Sequence, residues 1–387
     1  MKIALLSGAY KNAGDFLIVQ RSKELLKYVY PNCEIVEYER RNSLEENLQD
    51  INEMDCIVLA GGPAYVWNAY PEVLPLASDL DKIQVPIFAL ANGWSGISTE
   101  ANVIYNYKFS EESMNLWKKI ETSGFSLGCR DWESVKVLHY AGIKNTIMTG
   151  CVAWYNLPYA MKSKFDKDMS KIKKICISDP ALRNNFESAY LLVTFMRQKF
   201  PDANIKFVFH RGTGADANTN KEEAQRIIKL KEKIEALNIE CHDIAYSYEG
   251  FSVYDDCDLH IGFRVHAHIY NLSRRNVSIL IEEDSRGGGV NNALRLPRVL
   301  AYQMVGTLGK NELINKLVRH MGVRRNPYLI KEIDDCIEYL KVTDYLDYKN
   351  AFERMVDSFE IMINHIKQIE KKCGGQKDET YFGSNSC

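Results

Sequence analysis

The chain has 387 residues, of which 46% are hydrophobic and 26% are charged, as is usual for a folded globular protein. Its length exceeds the roughly 250–300 residues at which a single hydrophobic core stops growing, so we expect two domains. The 49 lysines and arginines are balanced by 51 acidic residues, which argues against nucleic acid as a partner.

The sequence contains no pattern that predicts export or a membrane span. The apolar run within residues 1–10 is too short for a signal peptide, and no run reaches the roughly 18 residues of a spanning helix. The 10 cysteines include no C-x-x-C pair, so we expect no metal site and a reducing compartment. We therefore expect a cytoplasmic protein, with peripheral contact to a membrane left open.

The first part of the chain alternates strand and helix patterns. Apolar, often β-branched runs predict strands at 3–7, 33–38, 56–60, 86–91 and 124–129. Apolar residues at helical spacing predict helices at 16–30 and 134–140. Because strands that alternate with helices form parallel sheets, we expect an α/β domain over residues 1–167.

A lysine-rich stretch at 158–174 predicts either a linker or a solvated helix, after which the same alternation resumes. Strands are predicted at 175–178, 205–210, 243–245, 259–263 and 277–281, with a further element at 300–308. Helices are predicted at 187–199, at 221–236 and directly after 265. We expect a second α/β domain over 168–325, then packing helices at 326–372 and a mobile tail at 373–387. Two such domains would leave a ligand cleft between them.

The stretch 256–289 concentrates cations, histidines and acids around two apolar runs. Arg264 and His266 follow the first run, and Asp284 and Arg286 follow the second. In open α/β sheets, ligands bind outside the carboxyl ends of the strands, so we expect these four side chains to face one crevice. Arginine binds phosphate or carboxylate in a bidentate manner, and histidine exchanges protons near neutral pH. The crevice therefore suits a small anion on which chemistry is done.

Four short motifs, in this order, resemble the polysaccharide pyruvyl transferase family. They are N-x-G-D at Asn12, Gly14 and Asp15, A-G-G at 60–62, R-D-x-x-S at Arg130, Asp131 and Ser134, and R-x-H at Arg264 and His266, followed by a strand and Asp284. The resemblance implies two facing Rossmann-like domains of the GT-B type. It also implies transfer of a pyruvyl group from phosphoenolpyruvate to two hydroxyls of a sugar, which forms a cyclic ketal and releases phosphate.

The resemblance further implies that Arg264 and His266 contact the donor, which places the donor on the second domain and the acceptor on the first. The acceptor would be a sugar of a polysaccharide or of its lipid-linked precursor. Phosphoenolpyruvate would be a substrate, and no cofactor or metal is expected. By contrast, His260 and His268 are expected to belong to the scaffold.

The N-x-G-D turn leaves two interpretations open. Asp15 is either the N-cap of the following helix or the base that deprotonates a sugar hydroxyl, and Asn12 would bind the sugar beside it. Gly61 and Gly62 would let backbone amides approach a ligand, although a plain turn after a strand also favours glycine. Arg130 and Asp131 are expected to pair with each other, with ligand contact as the alternative.

Three further candidates follow the first two strands of the second domain. Arg183, His210 and Arg211 would complete an anion pocket together with Arg264. With Asp284, they are predicted to bind substrate.

Two departures from the family pattern keep other functions open. Ala267 stands where the family often has glycine, and residues 149–154 lack an aspartate that family members commonly carry. One alternative is a glycosyltransferase that holds the diphosphate of a nucleotide sugar in the same crevice. The other is a non-catalytic relative that binds sugars or anions.

Overall fold

The computed structural model describes residues 1–165, 168–304 and 323–373. The strands of the first domain are β1 (Lys2–Ser7), β2 (Glu34–Glu39), β3 (Cys56–Ala60), β4 (Pro63–Tyr65), β5 (Ile87–Leu90), β6 (Gly93–Trp94), β7 (Leu127–Cys129) and β8 (Thr146–Met148). Its helices are α1 (Ala13–Val29), α2 (Leu48–Asn52), α3 (Ala101–Tyr105), α4 (Glu111–Thr122) and α5 (Trp132–Tyr140).

The main sheet of the first domain is parallel, in the order β2-β1-β3-β5. The side chains of β3 and β5 are all buried, which explains why these strands read as unbroken apolar runs rather than as alternating patterns. The edge strand β2 has no buried residue. Two smaller parallel pairs, β4 with β6 and β7 with β8, extend the domain beyond β5.

The second domain repeats this architecture. Its strands are β9 (Lys174–Ser178), β10 (Asn204–Phe209), β11 (Glu240–Asp243), β12 (Leu259–Gly262), β13 (Val277–Glu282), β14 (Val299–Leu300), β15 (Tyr302–Met304) and β16 (Val323–Arg325). Its helices are α6 (Phe186–Lys199), α7 (Lys221–Glu235), α8 (Val265–Ser273) and α9 (Ser285–Leu294). Six strands form a parallel sheet in the order β11-β10-β9-β12-β13-β14, and β15 pairs antiparallel with β16.

The C-terminal helices are α10 (Leu329–Val342), α11 (Leu346–Ile366) and α12 (Gln368–Cys373). Helix α11 contacts both domains. At its start, the Tyr348 hydroxyl donates to the carbonyl of Ser278 in β13. At its end, His365 Nε2 lies 3.1 Å from the carbonyl oxygen of Ala89 in β5. The helix therefore fixes the two domains relative to each other.

The predicted architecture is confirmed, with two Rossmann-like α/β domains facing a cleft and C-terminal helices packed against them. The strand predicted at 243–245 is wrong by a few residues, because the true edge strand β11 is polar and partly exposed and so lacks an apolar pattern. Helix α4 was not predicted, and neither was α9, which contains three consecutive glycines. Residues 305–308 of the element predicted at 300–308, and 374–387 of the predicted tail, lie outside the described residues.

Within the described ranges, none of the helices combines the length and apolarity needed to cross a membrane.

Candidate functional site

A cavity of about 200 Å³ lies between the two domains, where the carboxyl ends of their parallel strands face each other. Six arginines line it: Arg40, Arg41, Arg130, Arg211, Arg264 and Arg286. Three carboxylates also line it: Asp15, Glu283 and Asp284. This excess of guanidinium groups favours an anionic ligand.

Arg264 is the N-cap residue of α8. It is held in place by β9 and by the turn that follows β9. Its Nε and Nη2 donate to the two carboxylate oxygens of Asp179, at 2.7 and 2.6 Å, and Nη2 also donates to the carbonyl of Pro180 at 3.2 Å. Although burial opposes it, the charge of Asp179 raises the pKa of Arg264 above its ordinary value. Its Nη1 makes no hydrogen bond to any described residue, so this nitrogen can donate to a ligand in the cavity.

His266 lies in the first turn of α8 and packs against the first turn of α1. A Cβ added to Gly14 would lie only 2.5 Å from His266 Nδ1, so no larger residue fits between the ring and α1. His266 Nε2 is buried and has no hydrogen-bond partner among the described residues. Burial, together with the charges of Arg130 and Arg286, lowers the pKa of His266 to about 3. The ring is therefore neutral near pH 7, and a bound anion would raise this pKa by opposing the two arginines.

Asp15 lies in the first turn of α1 and lines the same cavity. Helix α1 begins three residues earlier than the sequence predicted, so its N-cap residue is Asn12 and not Asp15. Burial raises the pKa of Asp15 above its ordinary value, against the opposing charges of Arg40, Arg211 and Arg286. A carboxylate of raised pKa is a stronger base than an exposed one, which suits the removal of a proton from a hydroxyl.

The turn after β13 fixes two acids and an arginine. Asp284 caps α9 by accepting from the backbone of Arg286 at 2.9 Å, and it also accepts from the Arg286 guanidinium at 2.6 Å. Glu283 accepts from the backbone of Ala181 at 2.7 Å and of Leu182 at 3.0 Å, and from the Asn185 amide at 2.7 Å. Burial raises the pKa of Glu283 to about 7. This side chain holds the segment after β9 against the cavity.

The R-D-x-x-S motif joins β7 to α5. Arg130 Nε donates to Asp131 at 3.1 Å, so the expected pair is present, and Arg130 Nη2 donates to the carbonyl of Trp94 at 2.9 Å. Asp131 caps α5 by accepting from the backbone of Ser134 at 2.7 Å. The pair thus orients the Arg130 guanidinium, which also lines the cavity.

The structure brings most of the predicted site residues together. Those lining the cavity are Asn12, Asp15, His210, Arg211, Arg264, His266 and Asp284. His210 is fully buried, with Nε2 2.7 Å from the Tyr254 hydroxyl, and burial lowers its pKa well below the ordinary value. The backbone N–H of Ala13 in α1 donates to the His210 carbonyl at 3.0 Å, which joins the two domains beside the cavity.

Three predicted residues do not line the cavity. Arg183 is exposed in a short 3-10 turn after β9. Gly61 and Gly62 follow β3 with φ of 38° and 73°, a backbone conformation that glycine adopts readily. A Cβ added to Gly62 would lie 3.4 Å from Arg40 Nη1, so this turn packs against the Arg40 guanidinium.

Two other histidines and one family departure also lie away from the cavity. His260 Nδ1 and His268 Nδ1 are 2.6 and 2.7 Å from the Ser278 hydroxyl, inside the second domain. Residues 149–154, where the family aspartate is missing, are all buried, and the turn at 152–154 packs against α1 and α8. The departure therefore changes packing between the domains and removes no group from the cavity lining.

Sequence reasoning missed Tyr10, Arg40, Arg41 and Glu283 as lining residues. A usable signal was present, because Arg40 and Arg41 directly follow the predicted strand at 33–38. The rule that ligands bind at the carboxyl ends of parallel strands applies to this strand as well as to those of the second domain.

Fold and cavity together define a class, the two-domain α/β proteins with a cationic cleft between facing parallel sheets. UDP-GlcNAc 2-epimerase from Neisseria meningitidis, bound to UDP-GlcNAc, is similar, with a TM-score of 0.50 and 11% identity over 95% of this chain and 100% of that chain. The UDP co-structure of MnaA from S. aureus has a TM-score of 0.46 and 12% identity over 89% of this chain and 97% of that one. At 11% identity the likeness to the epimerase concerns the fold alone, and it confirms the expected GT-B-like arrangement.

The family model for polysaccharide pyruvyl transferase matches residues 12–270, which is more than half of the chain and includes the motifs from Asn12 to His266. The chain therefore belongs to the polysaccharide pyruvyl transferase family. A comparison with curated proteins gives no match.

The contact between Gly14 and His266 can be tested by Gly14→Ala. In a helix, glycine to alanine ordinarily stabilises by about 0.5–1 kcal/mol. Here the added methyl collides with the His266 ring, so we expect destabilisation by about 1–3 kcal/mol, measured by urea unfolding. In the control Gly214→Ala, the added Cβ meets no atom within 4 Å, and stability should change by less than about 0.5 kcal/mol. A stabilised Gly14→Ala variant would show that the contact is absent.

Proposed function

We propose that this protein transfers a pyruvyl group from phosphoenolpyruvate to two hydroxyls of a sugar, forming a cyclic ketal and releasing orthophosphate. One observation carries the proposal. In a member of this family, Arg264 and His266 both line an arginine-rich cavity, and neither Arg264 Nη1 nor His266 Nε2 has a hydrogen-bond partner among the described side chains or backbone. Unpaired polar atoms in such a place are costly unless a ligand satisfies them.

The donor would bind on the second-domain side of the cavity. Phosphoenolpyruvate carries its carboxylate and its phosphate on the same carbon, so both groups need cations in one small region. Arg264 and Arg286 are held in fixed orientations by Asp179 and Asp284, and Arg130 by Asp131. Preorganised guanidinium groups lose little side-chain entropy when they bind an anion.

The chemistry needs one base, one proton for the methylene carbon and stabilisation of the leaving phosphate. Asp15 removes the proton from the first sugar hydroxyl, whose oxygen bonds to C2 of the donor while C3 takes up a proton. The C2–O bond to phosphate then breaks, and phosphate leaves with the electron pair. The second hydroxyl bonds to C2 to close the ketal, and its proton is released to the phosphate or to solvent.

His266 would carry the proton that reaches C3, or hydrogen-bond the leaving phosphate. Near pH 7 its pKa of about 3 keeps the ring neutral. The negative charges of the donor would offset Arg130 and Arg286 and raise this pKa, so the ring would gain its proton only when the donor is bound. This coupling would protect the enzyme against premature proton transfer. The scheme uses phosphoenolpyruvate as a substrate and calls for no cofactor.

The acceptor would enter from the first domain, where Asn12 and Asp15 line the cavity. It would be a sugar in a polysaccharide or in a lipid-linked precursor, and contact with a membrane surface would then be peripheral. We place the reaction in the cytoplasm.

Substitution of Arg264 and of His266 by Ala, one at a time, tests the donor site. Each change removes a group that touches the donor, so we expect phosphate release with an acceptor sugar to fall by about 10²–10³-fold. The controls Arg226→Ala, on the outer surface of α7, and His242→Ala, on the edge strand β11, should retain the rate. Full rates in both test variants would overturn the assignment, and release of nucleoside diphosphate from a nucleotide sugar would indicate a glycosyltransferase instead.

The pH profile of kcat/KM tests Asp15 as the base. The carboxylate must be ionised to accept a proton, so the rate should rise with pH through the pKa of Asp15. Because burial raises that pKa, the acidic limb should lie above about pH 4, the value for an ordinary aspartate. Asp15→Asn should lower the rate by about 10²–10⁴-fold and remove this limb. If the limb persists unchanged in Asp15→Asn, another group is the base.

A further inference from the structure

The six arginines of the cavity fall into two groups according to their partners. Arg130, Arg264 and Arg286 each form an ion pair with an aspartate, at 3.1, 2.6 and 2.6 Å. Arg40, Arg41 and Arg211, here called the unpaired cluster, form no ion pair with any carboxylate in the part of the chain that the structure describes. The positive charge left for a ligand is therefore concentrated on the unpaired cluster.

Arg40 directly follows β2, and its side chain packs against the residue that follows β1. A Cβ added to Gly8, after β1, would lie 2.7 Å from Arg40 Cζ, so only glycine leaves room for the guanidinium there. Arg40 Nε is buried and has no hydrogen-bond partner among the described residues. Burial lowers the pKa of Arg40, whereas the carboxylates beside Arg264 and Arg286 raise theirs. A half-buried guanidinium without a partner is unfavourable on its own and is stabilised by a bound anion.

Tyr10 holds the other two members of the unpaired cluster. The Arg41 guanidinium lies 3.2 Å from the centroid of the Tyr10 ring, and Arg211 Nη2 donates to the Tyr10 hydroxyl at 3.2 Å. Against the effect of burial, Arg41 and Arg211 lower the pKa of Tyr10 below its ordinary value. Stacking on an aromatic ring leaves the edges of a guanidinium available to donate hydrogen bonds. The cluster can thus present several donors to one ligand.

The strand order separates the two groups of arginines along the cavity. Arg40 and Arg41 follow the edge strand β2 and Arg211 follows β10, whereas the paired arginines follow β7, β12 and β13. Asp15 lines the same cavity, and the charges of Arg40, Arg211 and Arg286 all act on it. The charges acting on His266 come from Arg130 and Arg286. Since phosphoenolpyruvate has both anionic groups on one carbon, a donor beside His266 would leave the unpaired cluster unoccupied.

We propose that the unpaired cluster binds a phosphate or diphosphate group of the acceptor, so that the acceptor is an anionic sugar ester rather than a neutral sugar. Three converging guanidinium groups match the charge and the several oxygens of a phosphoryl group. The sugar hydroxyls then lie at Asp15. This inference rests on the proposed donor chemistry and names the class of acceptor that it uses.

Calorimetry on the 387-residue chain tests the second anion site with inorganic pyrophosphate as the probe. Pyrophosphate is titrated into protein already saturated with phosphoenolpyruvate, and we expect one further binding event. Because hydrogen bonds to charged groups are lost, Arg40→Gln and Arg41→Gln should each weaken pyrophosphate binding by about tenfold or more. Binding of phosphoenolpyruvate should change by less than about threefold in the same variants. The matched control is Arg226→Gln, which should alter neither.

Two results would overturn the inference. Pyrophosphate could displace phosphoenolpyruvate competitively, which would mean that the cavity holds one anion site. Alternatively, Arg40→Gln could weaken the binding of phosphoenolpyruvate as strongly as the binding of pyrophosphate, which would assign Arg40 to the donor site. If phosphoenolpyruvate does not bind at all, the proposed function fails separately from this inference. In that case, loss of pyrophosphate binding in Arg40→Gln but not in Arg264→Gln would still support the second anion site.

Discussion

The close contact between Gly14 and the His266 ring determines the geometry of the cleft. It joins the first turn of α1 to the first turn of α8, so the N-terminal ends of one helix from each domain meet at the cavity. The hydrogen bond from Ala13 to the His210 carbonyl reinforces the same junction. Helix N-termini carry partial positive charge, and their meeting adds to the field of the arginines. A side chain larger than glycine at position 14 would separate the two elements.

The second constraint is electrostatic. Six arginines around one small cavity repel each other, and the structure offsets half of them with aspartates that also fix their orientation. The paired arginines are suited to recognising a substrate of fixed shape. The remaining three lack such partners, which makes the cleft electrostatically unfavourable on its own and gives binding energy to anions. Burial and the same field together keep the His266 ring neutral.

Much of this organisation could be predicted from the sequence, because strands buried on both faces are visible as apolar runs. The position of Arg264, His266, Asp284, His210 and Arg211 after such runs was enough to place them at the cleft. Arg183 follows a strand as well, yet the neighbouring backbone of Ala181 and Leu182 is bound by Glu283, and Arg183 lies exposed. Sequence alone contains no information about that bond.

Other features depend on contacts between distant segments. Helix α9 contains three glycines because two of them meet the first domain: added Cβ atoms would lie 2.7 Å from Thr99 at Gly288 and 2.7 Å from Asp131 at Gly289. From local propensity the same glycines predict no helix. The Arg130–Asp131 pair was predicted from adjacent residues, but Arg264 pairs with Asp179 from a different segment of the second domain, so the division into two groups appears only in the folded structure.

The central claim is that carbon from phosphoenolpyruvate becomes a ketal on a sugar. It is tested most directly by incubating the protein with phosphoenolpyruvate labelled with ¹³C at C2 and with galactose, mannose and N-acetylhexosamine acceptors, both free and as phosphate esters. We expect the labelled carbon to move from the enol to a ketal environment in the NMR spectrum, with one phosphate released for each ketal formed. A label that stays in phosphoenolpyruvate with every acceptor, while nucleoside diphosphate is released from a nucleotide sugar, would contradict this account.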